Sequence, residues 1–492
     1  MARLLEILLG SVLLIGIVAA VDYENPVQSS AEDEIKSLPY LNVPITFRQY
    51  SGYLNADKKG KAFLHYWFVE ATEDPANKPV LLWLNGGPGC SSMEGLFSEL
   101  GPFQLDESGT HVSLREYSWN KLANVIFLES PTQVGYSYGL TPFDIVTDDS
   151  AAMQNYLALK SFYEKFPQYK KNNLYLSGES YAGVYLPTLG VLVDADKEFN
   201  LKGIAIGNGY LDAQKLDESL VFFAYYHGLL GKSDWDEVSR LCCDGKAPAR
   251  ENCNFKGRDA HLACKLRIFQ KINSLLRSPG FNPYNIYGDC PTSNLSTNAR
   301  SRNNRWSVDR AIATTMLNRR ASDSDDRPFE ILNVEGVEPP CFDGDNMVRY
   351  MNDPKVREAI HIPKHLGQWD ACTLFLRYVM KYPIRPGGLA PQIQQLIKSE
   401  RKLGLLIFNG DTDMVCNTIG DEWFTDDLGR KVISDYQLWH VGKQVAGFVK
   451  HYDGITFATV RGAGHMVPEF RPKEAFAMIG IVLNSTSHNV FL

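Results

Sequence analysis

Apolar residues run almost without polar interruption over 80–84, 125–128, 403–408 and 455–460. Runs of this length predict strands buried on both faces, as in parallel sheets covered by helices. Upstream, residues 50–54 and 62–69 flank a polar turn at 55–60 and predict an antiparallel pair. Residues 148–163 carry apolar positions at helical spacing, and short apolar runs follow at 174–176 and 203–207. Strands alternating with helices predict an α/β fold, with a mostly parallel central sheet and helices on both faces.

The pattern changes between Asp212 and Asp345, where cysteine, asparagine and arginine are frequent and strand signals are few. This predicts an insertion over 212–345 that forms a lid, between core parts at 21–211 and 346–492. Within it, residues 298–328 are loaded with Arg, Asn, Asp and Ser, including Arg319-Arg320 and Asp323-Ser324-Asp325-Asp326, which predicts an exposed loop. Residues 353–362 read as a helix returning to the core. Residues 22–36, polar and acidic, read as a loose leader. Residues 1–20, with Arg3, an apolar stretch and small residues at Ala19 and Ala20, read as a secretory signal peptide; a membrane anchor is the alternative, although the run is short for a span.

Composition narrows the class. A net charge of −7 argues against nucleic acid as a partner, since phosphate binding needs basic surface. No other stretch is long and apolar enough to cross a bilayer, so the mature chain is expected to be free of the membrane. Nine cysteines fit an oxidising route; eight can pair and one is left over, and spacing alone leaves the pairing open. Asn294-Leu295-Ser296 and Asn484-Ser485-Thr486 are glycosylation sequons.

The candidate chemistry starts at Gly178-Glu179-Ser180-Tyr181-Ala182-Gly183, between the run ending near Leu176 and a helical repeat through Val184, Leu186, Leu189 and Leu192. Strand, sharp turn with serine at its tip, then helix is the layout of a nucleophile elbow, with Ala182 where the consensus has glycine. In this layout an acid and then a histidine follow along the chain. Asp411 and Asp413 stand just after the run at 403–408, and His465 just after the run at 455–460. Loops at the carboxyl ends of strands are where α/β sheets bind ligands. Two other patterns fail. Gly228 to Ser233 has its first glycine two positions too close for a P-loop, and His361 and His365 lack the glutamate of a zinc protease helix.

Three blocks, Asn85-Gly86-Gly87-Pro88-Gly89-Cys90-Ser91-Ser92, Gly178 to Gly183, and Gly464-His465-Met466-Val467-Pro468, resemble the signatures of the serine carboxypeptidases. Residues 223–231, 420–424 and 446–450 resemble lysosomal members in particular. The resemblance implies an α/β-hydrolase fold and peptidase activity that releases C-terminal residues at acidic pH, with side activity on esters and amides. It implies Ser180, Asp413 and His465 as a triad, with Asp413 preferred to Asp411 by its place in Gly-Asp-x-Asp. Gly87 and Tyr181 would supply the oxyanion hole. Trp83, Asn85, Glu99 and Glu179 would hold the substrate carboxylate, and Tyr181, Cys416 and Met466 would line the substrate pockets, suiting apolar side chains. The disulfides implied are Cys90–Cys372, Cys290–Cys341, Cys242–Cys264 and Cys243–Cys253, leaving Cys416 free.

The resemblance implies no cofactor and no metal, a homodimer, a lysosomal or secreted location, excision of the 298–328 linker, and a stabilising partnership with lysosomal glycosidases. A change of reaction to acyl transfer is a further reading. Two departures stand out: Gln133, where relatives carry a small residue, and Glu469-Phe470 after the histidine block.

Overall fold

The computed structural model describes residues 26–140, 146–255, 262–276, 278–290, 341, 344–373, 376 and 387–485. The expected signal peptide, the 298–328 linker and Asn294 lie outside these residues. Ten strands follow one path through the main sheet. In chain order they are β1 (Gln49–Asn55), β2 (Ala62–Val69), β3 (Val80–Leu84), β4 (Asn124–Leu128), β5 (Leu174–Ser180), β6 (Leu201–Gly209), β7 (Gly404–Gly410), β8 (Val432–Val441), β9 (Gln444–Tyr452) and β10 (Ile455–Val460). Their spatial order is β1-β2-β4-β3-β5-β6-β7-β10-β9-β8. The six central strands, β4 to β10 along this path, are parallel, and the flanking pairs are antiparallel.

The apolar runs divide between the two faces of the sheet because successive strand side chains point opposite ways. Val80, Leu82 and Leu84 join the core on one side with the helices Asp148–Lys165 and Ala182–Ala195. Leu81 and Trp83 join the core on the other side, where Met478, Ile479 and Val482 of the helix Pro472–Asn484 pack. The same split separates Ile126 from Phe127 and Ile407 from Phe408.

The helix Asp148–Lys165 begins where Thr147 accepts from the Ser150 N–H, and Asp212 caps Ala213–Tyr226 in the same manner. A third apolar cluster, from Leu220 to Leu276, gathers the helices after β6 and takes in Met414 from the loop after β7. Helices, not strands, fill the described part of 212–290.

The leader is not loose where it is described. Asp33 is buried, accepts from Tyr66 Oη at 2.7 Å and pairs with Lys165 Nζ. Its carbonyl accepts from the Ser51 N–H at 2.9 Å, which stitches the segment to edge strand β1. An uncovered edge exposes unpaired backbone groups, and this contact covers part of it. The helix expected at 353–362 is the shorter Pro354–Ala359, capped by Asp353, and a separate helix, Asp345–Asn352, precedes it.

Candidate active site

Strand β5 ends on Ser180, whose φ is 61°, a left-handed conformation that costs a non-glycine residue about 1–2 kcal/mol. Ser180 is held there from the end of β6. Its carbonyl accepts from the Tyr210 N–H at 2.8 Å, and it pairs in register with Gly209. Small residues around it answer to crowding. A Cβ on Gly178 would stand 2.2 Å from the Leu84 carbonyl, and one on Gly183 would stand 2.6 Å from the Tyr210 N–H. The close approach lies at Gly183, so Ala182 is accepted at the preceding position. A Cβ on Gly86 would lie 2.4 Å from the Tyr181 nitrogen and 2.6 Å from Ser180 Cβ. The loop carrying Gly86 and Gly87 therefore passes directly over the serine and the start of the helix Ala182–Ala195, where free N–H groups favour negative charge.

Strands β5, β6, β7 and β10 are adjacent and parallel, so residues beyond their carboxyl ends share one edge of the sheet. Asp413 follows β7 and His465 follows β10. His465 Nδ1 lies 2.6 Å from Asp413 Oδ2, with both residues buried. Asp413 Oδ2 also accepts from Asn208 Nδ2 at 2.9 Å and from the Cys416 N–H at 3.1 Å, while Oδ1 accepts from the Val415 N–H. Asp411 does other work: it accepts from the Gly462 N–H at 2.6 Å. The two loops nearly touch, since a Cβ on Gly410 would fall 2.0 Å from the Gly464 carbonyl.

On the other side of Ser180, Trp83, Asn85, Glu99 and Glu179 form one buried cluster. Trp83 Nε1 donates to Asn85 Oδ1 at 2.7 Å, which fixes the amide so that Nδ2 faces the acids. It donates to Glu99 Oε1 at 2.8 Å and to Glu179 Oε1 at 3.1 Å. The Oε2 atoms of both glutamates are buried and, among the described residues, take no hydrogen bond from another donor, while the two carboxyls lie close enough to share a proton with each other. Burial, and then the neighbouring Glu99 charge, hold the Glu179 carboxyl well above the usual carboxylate range. Burial raises Glu99 as well, against the lowering effect of the Asn85 hydrogen bond. Such a site can hold an anion only by sharing protons with it.

Met466 is half-buried beside His465, and Cys416 is a buried free thiol. Tyr181 is buried, with Oη donating to Asp148 Oδ1 at 2.8 Å. Gln133 takes a left-handed conformation, φ 79°, and its N–H donates to the Ser137 carbonyl at 2.9 Å. Disulfides join Cys90 to Cys372, Cys242 to Cys264, Cys243 to Cys253 and Cys290 to Cys341. Asn484 ends its helix, with Nδ2 donating to the Gly480 carbonyl.

Several site residues escape a reading of the chain alone. Asn208 is one; its signal is a polar side chain between two glycines at the end of a buried strand. A segment from the 212–345 region is another. Tyr284 accepts the His465 N–H through its carbonyl at 2.7 Å and sets its ring edge-on to the imidazole, while Asn285 Oδ1 accepts from Thr412 Oγ1. One short strip thus braces both the acid loop and the histidine loop. Glu129 is a third: fully buried, it accepts from Trp369 Nε1 and Ser91 Oγ beneath the glycine loop.

The model for the family described as serine carboxypeptidase matches residues 39–485. The mouse lysosomal protective protein is 42% identical over 461 residues, covering 92% of this chain and 94% of that protein. A serine carboxypeptidase of Caenorhabditis elegans is 37% identical over 476 residues, covering 93% and 94%. The crystal structure of a prohormone-processing carboxypeptidase of Saccharomyces cerevisiae superposes with a TM-score of 0.69 at 22% identity, covering 94% of this chain and 99% of that one, and speaks to the fold. With the family model spanning nearly all of the described sheet and both relatives aligned along almost their whole length, the chain belongs to the serine carboxypeptidase family.

Proposed function

We propose that the chain removes C-terminal residues from peptides at acidic pH, through an acyl-enzyme on Ser180. The observation that carries this reading is the Asn85 amide bridging Glu99 and Glu179, two buried carboxyls close enough to share a proton, with Glu179 next to the serine. A substrate's terminal carboxylate brings acceptors of its own, so protons on the glutamates become the donors it needs.

Asp413 holds the proton of His465 on Nδ1 and leaves Nε2 as base. The imidazole takes the Ser180 proton as Oγ bonds to the carbonyl carbon, and the oxyanion accepts from the Gly87 and Tyr181 N–H groups. The proton then passes to the departing amine as the C–N bond breaks. Water, activated by the same imidazole, releases the acyl group and restores the serine. Esters and amides follow the same course. Cys416 and Met466 offer soft, apolar walls to the substrate pockets that Tyr181 also lines, suiting apolar side chains near the scissile bond.

Residues 212–345 act as a lid over this edge of the sheet, and excision near 298–328 would leave two chains tied by Cys90–Cys372 and Cys290–Cys341. The disulfides and the lysosomal name of the mouse relative support a route through the secretory pathway to the lysosome or beyond. The word protective in that name favours a second reading, in which the chain stabilises other lysosomal proteins, glycosidases among them, independently of catalysis. Release of the last amino acid from blocked dipeptides, followed across pH in the native chain and in Ser180→Ala, tests both. Acid-favoured release that the substitution abolishes supports the enzyme; no release by the native chain overturns it. Glycosidase half-life measured with Ser180→Ala tests the second reading.

A further inference from the structure

The glycine turn at 86–92 passes over Ser180, and its own support lies at the end of β4. The Cys90 N–H closes the turn by donating to the Gly86 carbonyl at 3.1 Å. Ser92 Oγ accepts from the Asn85 N–H at 3.1 Å and donates to the Leu128 carbonyl at 2.7 Å. Ser91 Oγ accepts from the Met93 N–H at 3.1 Å, and its single proton goes to Glu129 Oε1. The turn is thus fastened to two successive residues, Leu128 and Glu129. It is also joined to residues 371–373 beside the disulfide Cys90–Cys372. There the Ser91 N–H donates to the Ala371 carbonyl and the Thr373 N–H to the Gly89 carbonyl, each at 2.8 Å. Trp369 Nε1 donates to Glu129 Oε1 at 2.6 Å, so one carboxyl oxygen ties both segments together.

The other carboxyl oxygen is equally engaged. Glu129 Oε2 accepts from the Tyr136 N–H at 2.8 Å and faces His65 Nδ1 at 2.8 Å. A Cβ on Gly135 would stand 1.8 Å from Oε1, so the loop after β4 wraps the carboxyl closely. Glu129, His65, Ser91 and Trp369 are all fully buried. The protons between them can be counted. Ser51 Oγ gives its own to the Ile360 carbonyl at 2.9 Å, and so accepts from His65 Nε2 at 2.8 Å. Nδ1 and Oε2 also need a proton between them, because two lone pairs at that distance would repel. With both places filled, His65 and Glu129 are neutral as a pair.

We propose that Glu129 is a positioning residue: through Ser91 it sets the glycine turn at the height where the Gly87 N–H meets the developing oxyanion. The inference rests on the carboxypeptidase reading and on Gly87 as an oxyanion donor. Such a donor helps only if it is aimed before the charge appears, and a misplacement of about 1 Å can cost roughly 100-fold in rate. A turn rich in glycine has little stiffness of its own, so its aim must be fixed from outside. The pairing with His65 matters for the same reason. An unpaired carboxylate beneath the turn would oppose the negative charge forming above it, whereas the neutral pair braces the turn and adds no net charge.

The test uses two variants of the full chain. Ser91→Ala removes only the hydroxyl that joins turn to carboxyl. Glu129→Gln keeps the volume, but in either orientation its amide N–H2 confronts an N–H donor, that of Trp369 or of Tyr136. Each should lower kcat for blocked dipeptides roughly 10- to 100-fold with KM little changed. A blocked peptide aldehyde reports the oxyanion directly: Ser180 Oγ bonds to its carbon, the carbonyl oxygen takes the negative charge, and the Oγ proton passes to His465. Its affinity should fall by the same factor, whereas an N-blocked amino acid, which competes without reacting, should bind as it does to the native chain. The double variant should lose no more than Glu129→Gln alone, because Ser91 is the link. Unchanged kcat in Ser91→Ala overturns the inference, even if Glu129→Gln fails to fold. So does weaker binding of the amino acid in step with the aldehyde, which marks a distorted site, and so do losses that simply add in the double variant. If the native chain neither releases a residue nor binds the aldehyde, the carboxypeptidase reading fails instead.

Discussion

Asn208 holds the acid loop at two points: its Nδ2 donates to Asp413 Oδ2 at 2.9 Å and its Oδ1 accepts from the Gly410 N–H at 2.9 Å. Strand β6 thereby fixes a carboxylate that belongs to the loop after β7. Asn208→Ala removes a hydrogen bond to a charged group, about 1.5–3 kcal/mol. If the bond serves to aim Asp413, kcat falls roughly 10- to 100-fold with KM little changed. Steady-state kinetics on a blocked dipeptide, with the melting temperature as control, checks this. A lowered melting temperature with kcat intact would mean that the bond serves stability alone.

The paired glutamates set a pH limit whose sign can be worked out. Both carboxyls lie above their ordinary value, mainly through burial, so they keep protons into a range where exposed carboxyls have lost them. As pH rises through that range they ionise and repel a substrate carboxylate. KM for blocked dipeptides should climb with pH, whereas KM for an ester lacking a terminal carboxylate should stay flat. Glu179→Gln should weaken the climb. Folding is linked in the same sense. The folded state holds these protons more tightly than the unfolded chain, so this contribution to stability is present at acid pH and is lost as pH rises.

Cys416 should be unreactive while the chain is folded. Burial, followed by the charges of Asp413, Asp421 and Glu179, pushes its thiol well above the ordinary value, and the thiolate is the reactive form. Alkylation by iodoacetamide, followed by mass spectrometry at pH 7–8, should proceed at least roughly tenfold slower in the native chain than in denaturant. Equal rates would contradict the burial.

Gly410→Ala should separate the acid and histidine loops. The added methyl would fall 2.0 Å from the Gly464 carbonyl and 2.5 Å from that of Ala463, both backbone atoms with little room to give. Overpacking of this kind costs about 1–3 kcal/mol or more. A lower melting temperature together with reduced kcat is expected, and a fully active, equally stable variant would refute the close approach.

Much of the sheet can be read along the chain because six parallel strands are covered on both faces, which leaves unbroken apolar runs such as 80–84 and 125–128. The hairpin of β8 and β9 leaves no comparable trace. Most of β8 is exposed, so burial imposes no alternation on it. The leader likewise reads as polar; its docking depends on one aspartate meeting Lys165 and Tyr66, partners far away in sequence.

The chain by itself determined the order of the chemical groups: serine on an elbow, acid and histidine after later strands, and a glycine block ahead of them all. Those groups are local, each tied to the end of a strand whose own pattern reveals it. Only the tertiary structure set Asp413, and not Asp411, against His465, brought Tyr284 and Asn285 against both loops, and joined Asn85 to Glu99 and Glu179. Such contacts join segments tens to hundreds of residues apart. No local preference encodes them, because their geometry follows from which strands lie side by side.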